Sequence, residues 1–386
     1  MNPTPPLRVC FVLPGLHRVH RGAETAFEAI ASELARSRDF AVTLIGSGAP
    51  KAEKPYQFIR APSIPREHFE AWPKFGALRN AYRWEELTFA PALWQVYQPG
   101  NFDVSVTCSY PFTNWLLRSG RKHKRPRHVF VTQNGDWAPQ RRNMEYRLFS
   151  CDGLICTNPE YFHRHQNTWK SSLIPNGFNP ETFKPALGNR AHFNLPQEAK
   201  IVLLASALVP SKRVLEAVRA VATLPDAFLV VAGDGPLRAV LSAEADRLLP
   251  GRYRRLHLPI EEMPALYQCA NTLLHMARDE AFGNVYVEAM GVGLPIVAHE
   301  SPTTRWILQD ESPTPRGQTS SAEKEHSALS WLVDTDNLNA VSNALKQALN
   351  GSNQNALRRH ALAAKRFSWE KVAQQYGRFF KQTAAL

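Results

Sequence analysis

The chain has 386 residues, of which 44% are apolar and 21% charged, and 46 Lys and Arg against 34 Asp and Glu give a formal net charge of +12 at pH 7. That length suits about two domains, each large enough for its own core, and the apolar share is ordinary for a soluble globular protein. The five cysteines, Cys10, Cys108, Cys151, Cys156 and Cys269, are odd in number and lack C-x-x-C spacing, so neither a disulfide framework nor a zinc site is indicated, and a reducing compartment is expected.

From the N-terminus, the proline-rich Met1–Pro6 lacks a signal-peptide pattern, and apolar runs such as Ile201–Ala205 are far too short to cross a bilayer, so a cytoplasmic protein is expected. Leu7–Leu13 reads as a buried strand and Glu24–Arg36 as an amphipathic helix; the loop between them, with Gly22, lacks the G-x-G-x-x-G of dinucleotide enzymes. Ala41–Ile45, Asp103–Val106, Val129–Val131 and Gly153–Ile155 continue the strand series. The aromatic stretch from Phe69 through Trp72, Phe75, Trp84 and Trp94 to Tyr97 reads mostly as helix core, the other reading being a surface for an acceptor or a lipid. The densest basic patch, Arg118–Arg127, contains Gly120 and Pro126 and is expected to be an exposed loop; it suits solvent or peripheral contact with an anionic membrane face, and no nucleic-acid motif surrounds it.

Ile174 to Pro196 is dense in Pro, Asn and Gly and reads as an interdomain linker, after which a second strand series begins: Ile201–Ala205, Phe228–Ala232, Thr272–His275 and Ile296–Ala298, each separated by a helix-sized segment. Such alternation predicts an α/β protein of two Rossmann-like, doubly wound parallel-sheet domains facing a cleft. The expected boundaries are 1–183, a linker over 184–199, and 200–367. A helix over 368–386 follows.

Loops at the carboxyl ends of such strands are where ligands bind. Lys212 follows the first strand of the second series, where a fixed cation would stabilise charge on a departing diphosphate. Gly233 and Gly235 follow the next strand, in a turn that permits close backbone approach, with Pro236 opening a helix. The most informative stretch is Glu280-Ala281-Phe282-Gly283-Asn284-Val285-Tyr286-Val287-Glu288-Ala289-Met290. One carboxylate precedes a helix start near Gly283 and Asn284, whose unpaired amides favour a diphosphate, and the second lies a little over one turn into that helix. A carboxylate accepts two hydroxyl hydrogens and so suits a vicinal diol. Taken alone, each acid reads first as a solvated residue; together, with Phe282-Gly283 between them and Gly293-Leu294-Pro295 after them, they read as a site. Asp334-Thr335-Asp336 matches a metal-binding D-x-D but sits beside Asn337 at a helix start, where Asp and Asn cap amides.

Glu280 and Glu288 with seven residues between them, Phe282-Gly283 and Glu288-Ala289-Met290 resemble the donor-site signature of the large retaining class of GT-B glycosyltransferases, group 1. The resemblance implies transfer of a hexose-type sugar from a nucleotide-diphosphate sugar to a glycan or lipid-linked acceptor, with no cofactor, no obligate metal and no nucleic-acid partner. It implies that Glu280 touches hexose hydroxyls, that Glu288 binds the nucleotide ribose, that Phe282, Gly283, Asn284 and Val285 line the donor site with Gly233 and Gly235, and that the last helix crosses back onto the N-terminal domain. Three positions depart from the family pattern. Gly22-Ala23 stands where two adjacent glycines are usual, Gln133-Asn134 where a His often is, and Ala207 where an Arg is usual, with Arg213 or Arg278 as its replacement. Asn134 and Asp136 are then the expected cleft wall or acceptor contacts. Other readings are a nucleotide-sugar epimerase of the same architecture, a catalytically silent binding protein, and, disfavoured by the broken glycine fingerprints, a nicotinamide-dependent oxidoreductase.

Overall fold

The computed structural model describes residues 5–135, 147–308, 329–351 and 355–385. The chain divides into two compact units, Met1–Asn176 with Trp369–Leu386, and Gly177–Ser368.

In the first unit the parallel strands are β1 (Leu7–Val12), β2 (Phe40–Gly46), β3 (Gln57–Arg60), β4 (Val104–Thr107), β5 (Arg127–Val131), β6 (Gly153–Cys156) and β7 (Ser171–Leu173). Their spatial order is β3-β2-β1-β4-β5-β6-β7. Winding starts at β1 and reverses between β1 and β4, so the loops leaving these two strands diverge and open a crevice at their carboxyl ends. Central strands read as near-continuous apolar runs because helices cover both faces; β4, Val-Ser-Val-Thr, is wholly buried. The Trp369–Ala384 helix packs on the Gly22–Ala35 helix and puts Val372, Tyr376, Phe379 and Phe380 into the same core as Phe11 and Phe27. Phe380 meets Phe11 edge-on, with ring centroids 5.9 Å apart.

The second unit holds β8 (Lys200–Ala205), β9 (Ala227–Ala232), β10 (Tyr253–Leu256), β11 (Thr272–His275), β12 (Ile296–His299) and β13 (Ser330–Val333), all parallel, in the order β10-β9-β8-β11-β12-β13. Its reversal lies between β8 and β11. These two strands lead to Lys212 and Glu280.

Two expectations are corrected. Segment 184–199 is not a free linker: Phe193 and Leu195 are buried in the second unit's core, and the Arg190 guanidinium donates to the carbonyls of Cys269 (3.1 Å) and Ala199 (2.9 Å) and to Asn271 (2.9 Å). Proline and glycine there mark an irregular but packed strap. The chain instead passes between units at Asn176 and at Ser368, and Phe178 N–H donates to Phe367 O at 2.9 Å beside the second crossing. The aromatic stretch is not mainly helix core either. Phe69, Phe89 and Tyr97 are buried, but Trp72, Phe75 and Trp94 are 46%, 59% and 67% exposed, because the helix starts only at Ala81 and Trp94 points away from the sheet.

All five cysteines are buried, and among the described residues none forms a disulfide. Among the described residues no helix is long and apolar enough to cross a membrane. The Ser119–Lys124 part of the basic patch is exposed, while Arg125 is held by Asp152 at 2.7 Å.

Gly233 and Gly235 serve tight loop packing. A Cβ on Gly233 would lie 1.9 Å from Ser206 O, and one on Gly235 2.6 Å from Leu208 O. The two loops are joined by Ser206 N–H to Ala232 O (3.0 Å) and Leu208 N–H to Asp234 O (2.9 Å). Gly233→Ala is expected to destabilise the protein by about 1–3 kcal/mol, the usual cost of overpacking, and urea denaturation checks it.

Candidate functional site

The second unit's crevice is built from the ends of β8, β11, β12 and β13. From β8 the chain runs to a 3-10 turn, Pro210–Lys212, and Arg213 takes a left-handed conformation (φ 53°) as it enters the Val214–Ala222 helix. This reversal sends neighbouring cations in different directions. Lys212 Nζ pairs with Glu280 Oε1, whereas Arg213 donates to Thr335 Oγ1 (2.9 Å) and pairs with Asp336 (3.0 Å). Arg278, more exposed, pairs with the same Asp336. The structure thus gathers Lys212 with Glu280 and places both arginine candidates on the carboxylate that follows β13.

The D-x-D segment lies among these same groups. Asp336 is an ion-pair partner of two arginines, Asn337 rather than either Asp caps the following helix by accepting from Ala340 N–H (3.1 Å), and Thr335 is fully buried, donating to Met276 O (3.2 Å). Among the described residues no group of three or more His, Cys, Asp or Glu is arranged to hold a metal ion.

Glu280 has a second partner that the sequence reading missed. His275, the last residue of β11 and 2% exposed, lies with Nε2 2.7 Å from Glu280 Oε1. Burial alone would raise the Glu280 carboxyl; the hydrogen bond and electrostatic attraction of His275, then the charge of Lys212, outweigh it and hold the group at about 2. The imidazole rests edge-on against Tyr286 at 5.2 Å, and Tyr286 sits in the first turn of the Asn284–Gly291 helix. The visible signal was position alone: the final residue of the strand beside the reversal.

Gly283 precedes that helix with φ 84° and ψ 77°, a conformation that favours glycine, and a Cβ there would lie 2.6 Å from the Tyr286 ring. Asn284 and Val285 open the helix, partly buried. Phe282 is a correction: it is 2% exposed and packs in the core against Phe367 (5.9 Å) and Trp306 (6.2 Å), so its side chain anchors the loop and does not line the crevice. Glu288 accepts from Tyr267 OH at 2.9 Å, and burial pushes its carboxyl up to about 7 against the lowering effect of that bond.

The remaining described sequence-derived residues lie in the first unit, after β1 and β5. Gly22 is the exposed first residue of the Gly22–Ala35 helix. Asn134 ends a 3-10 turn after β5, and its Nδ2 reaches Tyr82 OH (3.4 Å) and Cys108 Sγ (3.5 Å). Asp136 lies outside the described residues. Unforeseen there was a pair of acids in the Ala81–Val96 helix. Glu85 is buried among Arg18, Arg21 (3.5 Å) and Arg66 (3.3 Å), and Glu86, which burial raises to about 7, accepts from Thr113 N–H at 2.8 Å.

Two doubly wound parallel units of this kind make a GT-B fold, and solved structures of that class match along almost the whole chain. Sucrose-phosphate synthase from Thermosynechococcus elongatus aligns with TM-score 0.74 and 20% identity over 98% of this chain and 99% of its own. Anabaena HepE in complex with UDP and glucose aligns with TM-score 0.71 and 17% identity over 97% and 99%. At these identities the likeness is one of fold. The model of the family glycosyl transferases group 1 matches residues 188–364, within the second unit. Similar curated proteins include the lipopolysaccharide core biosynthesis glycosyltransferase LpsE of Rhizobium meliloti, 27% identical over 41% of this chain and 47% of the relative. Another is the 2-deoxystreptamine glucosyltransferase of Streptomyces kanamyceticus, 34% identical over 33% and 36%. The alignments therefore span less than half the length of these relatives.

The Glu288 shift has a sign. Its folded value, about 7, lies above the ordinary carboxyl value of 4.5, so folding takes up a proton and stability falls as pH rises between them. Glu288→Gln, which keeps an acceptor for Tyr267, is expected to gain stability relative to the wild type as pH is raised through that window. Urea midpoints at about pH 5 and about pH 8 check it.

Proposed function

We propose that this chain is a retaining glycosyltransferase that moves a hexose-type sugar from a nucleotide-diphosphate sugar to a glycan or lipid-linked acceptor, without an obligate metal. The carrying observation is the Glu280 carboxylate, kept ionised between His275 and Lys212 at the strand-order reversal, one short loop ahead of the helix that bears Glu288. The family match supports the transferase class, and the UDP and glucose of the HepE structure make UDP-glucose the first donor to test.

In this reading Glu280 accepts hydrogens from sugar hydroxyls. A carboxyl at about 2 is a poor proton donor at neutral pH, so the residue works by hydrogen bonding and charge and not as a general acid. Glu288 receives the ribose hydroxyls. The acceptor oxygen bonds to the anomeric carbon on the face that the diphosphate leaves, the carbon–oxygen bond to phosphate breaks with its electron pair going to the phosphate oxygen, and that oxygen takes the acceptor's proton. Lys212 and the amides that open the Asn284–Gly291 helix stabilise the departing charge. Arg213, tied to Thr335 and Asp336, acts on the leaving group only if it exchanges those partners. Acceptor recognition is assigned to the first unit, around Asn134, and the exposed Arg121–Lys124 turn to peripheral contact with an anionic membrane. The epimerase reading finds no support among the named relatives, which are transferases.

A thermal-shift panel of UDP-, GDP- and ADP-sugars is expected to raise the melting temperature for one nucleotide class, since a ligand of the native state stabilises it. With that donor, Glu280→Gln should slow transfer by about ten to a thousandfold, and Glu288→Ala should chiefly weaken donor binding. Unchanged turnover in Glu280→Gln would remove Glu280 from the mechanism. Product anomeric configuration, read by NMR, tests retention.

A further inference from the structure

Glu280 has two cation-side partners of unlike mobility, and both reach the same oxygen, Oε1. Lys212 stands on a flexible stem, with 24% of its side chain exposed. An ammonium on four rotatable carbons reorients easily, and a diphosphate arriving beside it offers more negative charge than one carboxylate. His275 is the opposite case. It is 2% exposed, its ring is seated edge-on against the buried Tyr286, and it ends a strand paired on both sides in the middle of the sheet. Its Nδ1 is buried and makes no hydrogen bond among the described residues, so Nε2 is the ring's polar anchor there. Because an ionised carboxylate can only accept, Nε2–H is the donor of the 2.7 Å bond.

We propose that His275 is a positioning residue for donor-sugar recognition: it holds the Glu280 carboxylate in its sugar-facing place when Lys212 turns to the diphosphate. The idea rests on the donor reading of this site and adds a division of labour within it. Lys212 is the exchangeable partner, read out in affinity for the nucleotide diphosphate itself. His275 is the fixed one, read out in the sugar's share of binding.

The test compares UDP with UDP-glucose, or the sugar nucleotide identified by the panel with its parent diphosphate, by calorimetry on the full chain. His275→Leu should lose about tenfold of the preference for the sugar nucleotide, the loss of one charge-assisted hydrogen bond, while binding the diphosphate as the wild type does. His275→Gln, whose side-chain amide carries an N–H to about the same point as Nε2, should restore most of that preference. Lys212→Met should weaken both ligands together. Equal loss in His275→Gln and His275→Leu, or a preference unchanged in His275→Leu, would overturn the role while leaving the donor reading in place. Failure of the wild type to bind any sugar nucleotide would sink both. A ligand-free measurement guards against a misfolded variant: the ring nitrogen signals of His275 should move in Glu280→Gln, and unchanged signals would show that the bond does not exist.

Discussion

A carboxylate set largely out of water stays ionised only if positive or hydrogen-donating groups replace the hydration it has lost, and Glu280 meets that condition through two neighbours from different parts of the second unit. One comes from the turn after β8 and the other from the end of β11, so the electrostatics of a single side chain depend on two strands being adjacent although 66 residues of chain or more separate their segments. Were β8 and β11 not neighbours at the reversal of winding, the acid would face desolvation with one partner fewer. The fold supplies the charge environment, and the charge environment in turn selects what the residue can do chemically.

A different adjacency, that of β8 with β9, explains the tight glycines. Loops that leave neighbouring parallel strands on the same side must either diverge, leaving a crevice, or run against one another. Between β8 and β9 they run together, joined by backbone hydrogen bonds, with Gly233 and Gly235 admitting the Ser206 and Leu208 carbonyls where a side chain would not fit. Between β8 and β11 they diverge. A rigid wall therefore stands on one side of Lys212 and an opening on the other, which is a sound arrangement for presenting a cation.

Much of this was legible from residues alone, for reasons that differ by element. Long apolar runs such as Ile201–Ala205 and Phe228–Ala232 announce themselves because central parallel strands are covered on both faces. The edge strands β3, β7, β10 and β13 did not, since Gln-Phe-Ile-Arg or Tyr-Arg-Arg-Leu is only partly buried and carries no apolar signature. Lys212, Glu280 and Glu288 could be singled out because each stands in a local pattern. His275, Glu85 and Glu86 could not, because what distinguishes them is burial and a partner distant in sequence or on another element. Phe282 shows the converse error: a residue within a donor-site motif whose side chain is held by the core, leaving its backbone neighbours to shape the loop. The strap over 184–199 misled for a related reason. Proline and glycine report irregular backbone, and irregular backbone can still be packed.

The closing helix has an outcome for synthesis. Phe379, Phe380 and Tyr376 complete a core whose other members, among them Phe11, Phe27 and Ile30, leave the ribosome long before them. The intervening unit is continuous in sequence and can condense as soon as Ser368 is made, whereas its predecessor must wait with one greasy flank uncovered until the Trp369–Ala384 helix emerges. The later-made body is thus free to mature first, and chaperone demand should fall on the earlier one.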